Sequence, residues 1–266
     1  MSATIALQDV DTSLNKETST VRQRNICKID SSQEDDPWLN EPHDNDTSNI
    51  PLDSTSFAPT SVYWITPHGM LTKSITILDL TADMHVPYTG LTDTYKAAIK
   101  TTLKDHSFTP VITCHRQNWI GLKYDIRDDQ NKIIAHWSHP WLSAGEAILT
   151  FPDESTHSSH PISLVNKTWG LRTESFTFNS QLFIWKMDSV WHSYNMTLYK
   201  VLGSGEHEKK VEVGKYSQKW WGSCATGGAF VLDGREIDGV VACLTLVIVL
   251  KKKRQRTAER YGNGAY

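Results

Sequence analysis

A closed antiparallel β-barrel of about twelve strands around a buried hydrophobic C-terminal helix is the architecture this sequence predicts, and three observations predict it. First, between Phe57 and Leu232 the chain falls into about a dozen short segments of alternating apolar and polar residues, cut by turn residues. That is the pattern of a barrel or sandwich rather than of parallel βαβ units. Second, nine of the ten tryptophans lie in this region, as a large aromatic-rich β core requires. Third, Val240–Leu250 is a run of eleven uncharged residues closed by Lys251-Lys252-Lys253-Arg254-Gln255-Arg256. About eight strands fill their own interior with side chains, whereas a larger barrel leaves a cavity. About twelve strands followed by a helix apolar all round therefore place that helix inside the barrel.

In chain order, residues 1–55 are rich in Ser, Thr, Asp and Asn with few large apolar residues. They cannot bury enough surface to offset ordering entropy, so a disordered acidic tail is expected there and a barrel domain over residues 56–257. Ser61–Thr66 and Ser74–Leu80 read as strands, and Asp93–Lys104 as a short helix, because Tyr95, Ile99 and Leu103 recur every fourth position. Val111–Cys114 is a strand, and Trp119–Ile126 sets Ile120, Leu122, Tyr124 and Ile126 on one face with Lys123 and Asp125 on the other. Arg127–Asn131 turns the chain and Lys132–Ser138 returns it. Ala147–Phe151, Ser163–Thr168, Ser175–Asn179, Gln181–Lys186, Met196–Leu202, Lys209–Ser217 and Gly228–Leu232 supply the remaining strands.

The last element is a helix over residues 239–256, followed by a flexible end at 258–266. Val247-Ile248-Val249 is β-branched and on its own favours strand. Asp238 as N-cap, Thr245 bonding back to the carbonyl four residues earlier and the cations at the C-terminus favour helix. Such a helix is about 27 Å long at about 1.5 Å per residue. The alternative is a tail-anchored membrane protein with a cytosolic β domain, inserted through residues 240–250. A span needs about 20 apolar residues, and widening this run meets Asp233, Arg235, Glu236 and Asp238 on one side and the basic block on the other. Each charge costs roughly 2.5–3.5 kcal/mol at a bilayer centre against roughly 0.3–0.6 returned by each large aliphatic residue, so enclosure is favoured.

The formal charge of −3 is unevenly distributed: Met1–Thr55 holds 11 acidic and 4 basic residues, a net of −7, which leaves +4 for the rest. A mildly basic domain points to an anionic partner or to contact with its own tail. The four cysteines are scattered, and Met1–Leu14 has neither a basic start nor an apolar core. A cytoplasmic, reducing setting rather than secretion is expected, which leaves the sequons at Asn45, Asn166 and Asn195 idle.

Phe230-Val231-Leu232-Asp233-Gly234-Arg235 leading into Val240–Leu250, together with the hairpin from Tyr124 to Ala135, resembles the tubby C-terminal domain superfamily, which also includes the phospholipid scramblases and the plant LURP-one-related proteins. The resemblance covers about Phe57–Arg256 through short motifs. It implies a twelve-stranded antiparallel barrel enclosing a hydrophobic C-terminal helix, and membrane association rather than catalysis. Tubby proteins bind phosphoinositide headgroups through Lys and Arg on the strand corresponding to the return arm of this hairpin. Here that stretch, Ile134–Trp141, carries His136 and His139, mostly neutral at pH 7, in place of a basic cluster. The acidic segment a scramblase needs for calcium is not found.

No catalytic constellation assembles. Trp221-Gly222-Ser223-Cys224-Ala225 is similar to the nucleophile segment of papain-like proteases, but those place their histidine downstream, and the last histidine here, His207, precedes Cys224. Gly203-Ser204-Gly205 lacks the glycine or lysine of a phosphate loop and reads as a hairpin turn. His136 with His139, and His157 with His160, are three apart, a spacing that points side chains apart in strands, so no metal is expected. Asp125, Asp128 and Asp129 lack the glycine of a calcium loop. A non-enzymatic binding or adaptor module without cofactor is expected, monomeric and with no nucleic-acid partner. Its candidate anionic-lipid ligands are Lys251, Lys252, Lys253, Arg254 and Arg256, extended by Lys209 and Lys210 and by Lys215 and Lys219 on the same strand pair. Each such cation contributes about 1 kcal/mol near an anionic surface. The competing readings of the block are a nuclear import signal and a solvated helix end that keeps the tip of the plug in water.

Overall fold

The computed structural model describes residues 52–53, 57–69, 72–142, 145–166, 173–187, 195–203, 207–218 and 226–262. Most of the expected tail, the segment Trp221–Ala225, Lys219 and the sequon at Asn45 lie outside the described residues. The strands are β1 (Leu52–Asp53), β2 (Ser61–His68), β3 (Ser74–Asp79), β4 (Ile112–Arg116), β5 (Lys123–Asp128), β6 (Ile133–Ser138) and β7 (Ala147–Thr150), followed by β8 (Ile162–Leu164), β9 (Thr173–Phe178), β10 (Gln181–Met187), β11 (Met196–Leu202), β12 (Lys209–Gln218) and β13 (Thr226–Leu232). Among the described residues two helices accompany them, α1 (Asp93–Asp105) and α2 (Gly239–Gly262).

β2 to β13 pair antiparallel in the order β8-β7-β6-β5-β4-β3-β2-β13-β12-β11-β10-β9. Among the described residues the two edges of this sheet meet through one bridge pair, in which Val165 and Ser175 exchange backbone hydrogen bonds of 3.0 and 2.9 Å. The result is an almost closed twelve-stranded barrel, as the alternation of the sequence predicts.

Alternation is clearest where one face meets water. In β5, Tyr124 and Ile126 are buried and Lys123 is exposed, and in β6 Ala135 and Trp137 are buried while His136 is exposed. β13 is buried throughout, because Phe230 and Leu232 face the interior while Ala229 and Val231 lie under α1, with Tyr95 and Ile99, in a second cluster on the outer face. α1 starts at Thr92, whose hydroxyl accepts from the Tyr95 N–H at 3.3 Å, an N-cap of the ordinary kind.

α2 fills the barrel. Every residue from Val241 to Leu250 is 4% exposed or less, and no helix among the described residues is long and apolar enough to cross a membrane. Residues 240–250, the segment of the tail-anchor alternative, lie within the main buried cluster of the barrel. Asp238 caps the helix as expected, its carboxylate accepting from the Val241 N–H at 2.9 Å. Gly239 lies so close to Tyr63 that a Cβ there would meet the phenol oxygen at 2.4 Å. Thr245 bonds to the carbonyl of Ala242, three residues back rather than four, and its oxygen accepts the indole N–H of Trp185 at 3.1 Å.

Three boundaries differ from expectation. Leu52–Asp53, read as tail, pairs in parallel with Lys210–Val211 of β12. α2 continues past Arg256 to Gly262, so residues 258–262 are helical rather than a flexible end. β5 begins at Lys123 and not at Trp119, because the Asn118 side chain accepts from the N–H groups of Gly121 (2.9 Å) and Leu122 (2.8 Å), and Gly121 takes φ 80°. Only glycine adopts that φ readily, and the turn sets Trp119 and Ile120 outward.

Candidate functional site at the mouth of the barrel

α2 enters after the end of β13 and runs alongside β2, so its basic stretch emerges where β2, β4 and β6 end. At this mouth the Lys251 ammonium donates to the Gly69 carbonyl at 3.1 Å and to the Tyr124 hydroxyl at 2.8 Å, and stands 5.1 Å from the centre of the Tyr124 ring. Burial, and then the guanidiniums of Arg116 and Arg254, hold the Lys251 ammonium down to about 7. Tyr124 is stacked on Trp137 at 4.2 Å, and Trp137 meets the edge of His139.

Gln255, one helical turn beyond Lys251, fixes the histidine. Its amide N–H donates to the Trp141 carbonyl, which turns its oxygen towards His139 Nε2 at 2.8 Å. Nε2 is then the protonated nitrogen, and Nδ1 is left as a buried acceptor with no partner among the described residues. Burial first, opposed by the bond to Gln255 and reinforced by Lys251, Lys252 and Arg256, lowers His139 to about 4, so the ring is neutral at pH 7.

Above these groups lies a pocket of about 200 Å³ lined by Ile120, Gly121, Leu122, His139, Trp141, Lys251 and Gln255. Two loops form its rim, one between β4 and β5 and one between β6 and β7. They carry Trp119, Trp141, Leu142 and Ile120, which are 82, 65, 61 and 39% exposed. Four large apolar side chains at the tips of two neighbouring loops are an unusual concentration on a surface that otherwise alternates.

The opposite side of α2 is built differently. Lys252, fully buried, meets the Glu174 carboxylate at 2.5 Å and lies 3.5 Å from the Leu164 carbonyl. Arg256 pairs with the other oxygen of Glu174. Leu164 ends β8 and Glu174 lies in β9, so these charges bridge the seam of the barrel. Burial lowers the Lys252 ammonium, and Glu174 opposes that shift.

The expectation of one solvated basic block therefore needs correction. Lys251, Lys252 and Arg256 are buried, and Lys253 and Arg254 are half-buried. Lys209 is exposed on β12, while Lys210 is buried with its ammonium 5.8 Å from the Tyr199 ring centre, and burial, helped by Lys186, lowers it. Both lie at the start of β12, at the end of the barrel where α2 begins, so they do not extend the mouth cluster. Lys215 is engaged by Glu212 at 2.8 Å. His136 points outward to Asp125 at 2.8 Å while His139 turns to the mouth, so the hairpin does not gather the two histidines. His157 meets Asp238 at 3.1 Å.

Among the described residues no three His, Cys, Asp or Glu side chains are grouped to hold a metal ion. The buried thiols of Cys114 and Cys243 are pushed up by burial, Cys114 to about 12, which removes their nucleophilic form. No protein-family model, curated protein or solved structure matches the chain.

Proposed function

We propose that the chain is a non-enzymatic, tubby-like peripheral membrane module, cytoplasmic in setting, that docks the mouth of its barrel on anionic phospholipid. The observation that carries this reading is the pairing of four exposed apolar residues, Trp119, Ile120, Trp141 and Leu142, with a pocket that Ile120 and Trp141 line together with Lys251. Tryptophan and leucine at loop tips suit the boundary between headgroups and acyl chains. Lys251, Arg116, Lys253 and Arg254 supply the attraction, at about 1 kcal/mol for each cation that reaches the surface. The positive balance of residues 56–266 favours the same partner. Among the described residues, a concavity over β10–β12 lined by Lys186, Tyr199, Glu212 and Lys215 has no comparable apolar rim.

Sedimentation with vesicles across a salt series tests the reading. Binding that requires anionic lipid, weakens as salt screens the charges and is lost in Trp119→Ala/Trp141→Ala supports it. Binding indifferent to anionic lipid overturns it.

A further inference from the structure

We infer that the mouth pocket seats the phosphate monoester head of a single lipid between Lys251, Arg116 and His139, with the acyl chains leaving across Trp119, Ile120, Trp141 and Leu142. This rests on the peripheral-membrane reading and adds the headgroup that the surface selects.

The size of the pocket bears on that choice. At about 200 Å³ it falls below the roughly 300–1,000 Å³ of sites that enclose a drug-sized ligand. A compact head fits it, and the chains stay outside.

The polar groups at this end of the barrel carry the argument further. Arg116, Tyr124 and Trp137 are cross-strand partners in one row over β4, β5 and β6. Directly opposed residues share a face of the sheet, so Arg116 faces the interior with its two buried neighbours. Arg116 Nη1 and Trp137 Nε1 are buried donors, and His139 Nδ1 a buried acceptor, none with a partner among the described residues. Trp137 itself is only 2% exposed. Orphaned buried polar atoms are uncommon; here His139 lines the pocket, Arg116 acts electrostatically on Lys251, and Trp137 stacks on Tyr124, to which Lys251 donates.

Together they ask for a ligand that both accepts and donates. A phosphate monoester offers several oxygens to the ammonium and guanidinium. With its second ionisation near pH 6 it is largely a dianion at pH 7, and its monoanionic fraction keeps a hydroxyl whose proton His139 Nδ1 can accept. A phosphodiester headgroup carries one charge and no such hydroxyl, and a carboxylate at neutral pH has no proton to give.

Vesicles containing phosphatidate are compared with vesicles of phosphatidylglycerol at equal measured surface potential, using the full chain. The expected result is about tenfold tighter binding to phosphatidate, the worth of one charge-assisted hydrogen bond. Arg116→Gln and Lys251→Met should each abolish the preference and leave the weaker charge-dependent binding, with circular dichroism confirming the fold. Dihexanoyl phosphatidate in solution, followed by calorimetry, gives a readout without a membrane and should bind the wild type more tightly than inorganic phosphate does. Equal binding to the two vesicles, a preference that survives in both folded variants, or inorganic phosphate binding as well as the lipid overturns the headgroup inference while leaving the membrane reading standing. Absence of binding to any anionic vesicle overturns both.

Discussion

Lys251 and Lys252 are adjacent in sequence and leave α2 about 100° apart, and their surroundings differ in kind. Lys252 and Arg256 close on Glu174 at the seam between β8 and β9, where Val165 pairs with Ser175. Lys251 bonds to a carbonyl and a phenol and stands beside Arg116 and Arg254 at an open pocket. A buried carboxylate between two cations neutralises charge and holds strands together. A buried lysine among cations and neutral acceptors favours an incoming anion. Two chemically similar residues thus serve the fold on one side and the site on the other.

The comparison is broken most completely by disturbing what both sides share. Val247→Asp puts a carboxylate among fully buried aliphatic residues. The unpaired charge costs as much as the roughly 5–15 kcal/mol that holds a typical domain together, so circular dichroism and soluble yield should report no folded protein. On the seam side, Glu174→Gln leaves Lys252 and Arg256 without their carboxylate and should lower stability by about 3–5 kcal/mol in chemical denaturation. Adding Lys252→Met to that variant should recover part of the loss.

Acid should act next. His68 is buried, its Nδ1 against the Thr66 carbonyl and its Nε2 against the Thr226 hydroxyl. Burial, opposed by the Thr66 bond, lowers it from 6.5 to about 4, close to the value for His139. Below about 6.5 the unfolded histidines take up protons that the folded ones refuse, so stability present above that pH is lost as pH falls towards about 4. The loss is on the order of 3 kcal/mol for His68. Thermal melts between pH 4 and 7 should show it, and His68→Gln should flatten it. Lys251 acts in a different window with the same sign. Its ammonium, at about 7 folded and 10.5 unfolded, makes stability rise between those pH values, and Lys251→Met should remove that rise. The smallest effect belongs to the rim: Trp141→Ala, 65% exposed, should change stability by less than about 0.5 kcal/mol while weakening vesicle binding.

Most of the architecture was legible in the sequence because it follows from local pattern. Alternation located β2 to β13, the four-residue spacing of Tyr95, Ile99 and Leu103 located α1, and the uncharged run with Asp238 before it located α2. The site was not legible, for two physical reasons. The fate of Lys252 and Arg256 depends on Glu174, a residue distant in sequence that only the closing of the barrel brings near. A run of cations therefore reads as solvated when three of its members are buried. The pocket rim was hidden because Ile120 and Leu122 continue the alternation of β5, so Trp119 was read as a strand residue. The signal that marks the turn is Asn118 followed by Gly121, an acceptor three residues ahead of a glycine that can take positive φ.

The most direct test of the difference between the two sides is to measure melting temperature and anionic-vesicle binding together for Lys251→Met and Lys252→Met at pH 7. Lys251→Met should melt at or above the wild-type temperature and bind more weakly, keeping only the charge-dependent part, whereas Lys252→Met should melt well below it and, at temperatures where it remains folded, bind as the wild type does. A Lys251→Met protein that unfolds, or a Lys252→Met protein that keeps its stability and loses binding, contradicts the account.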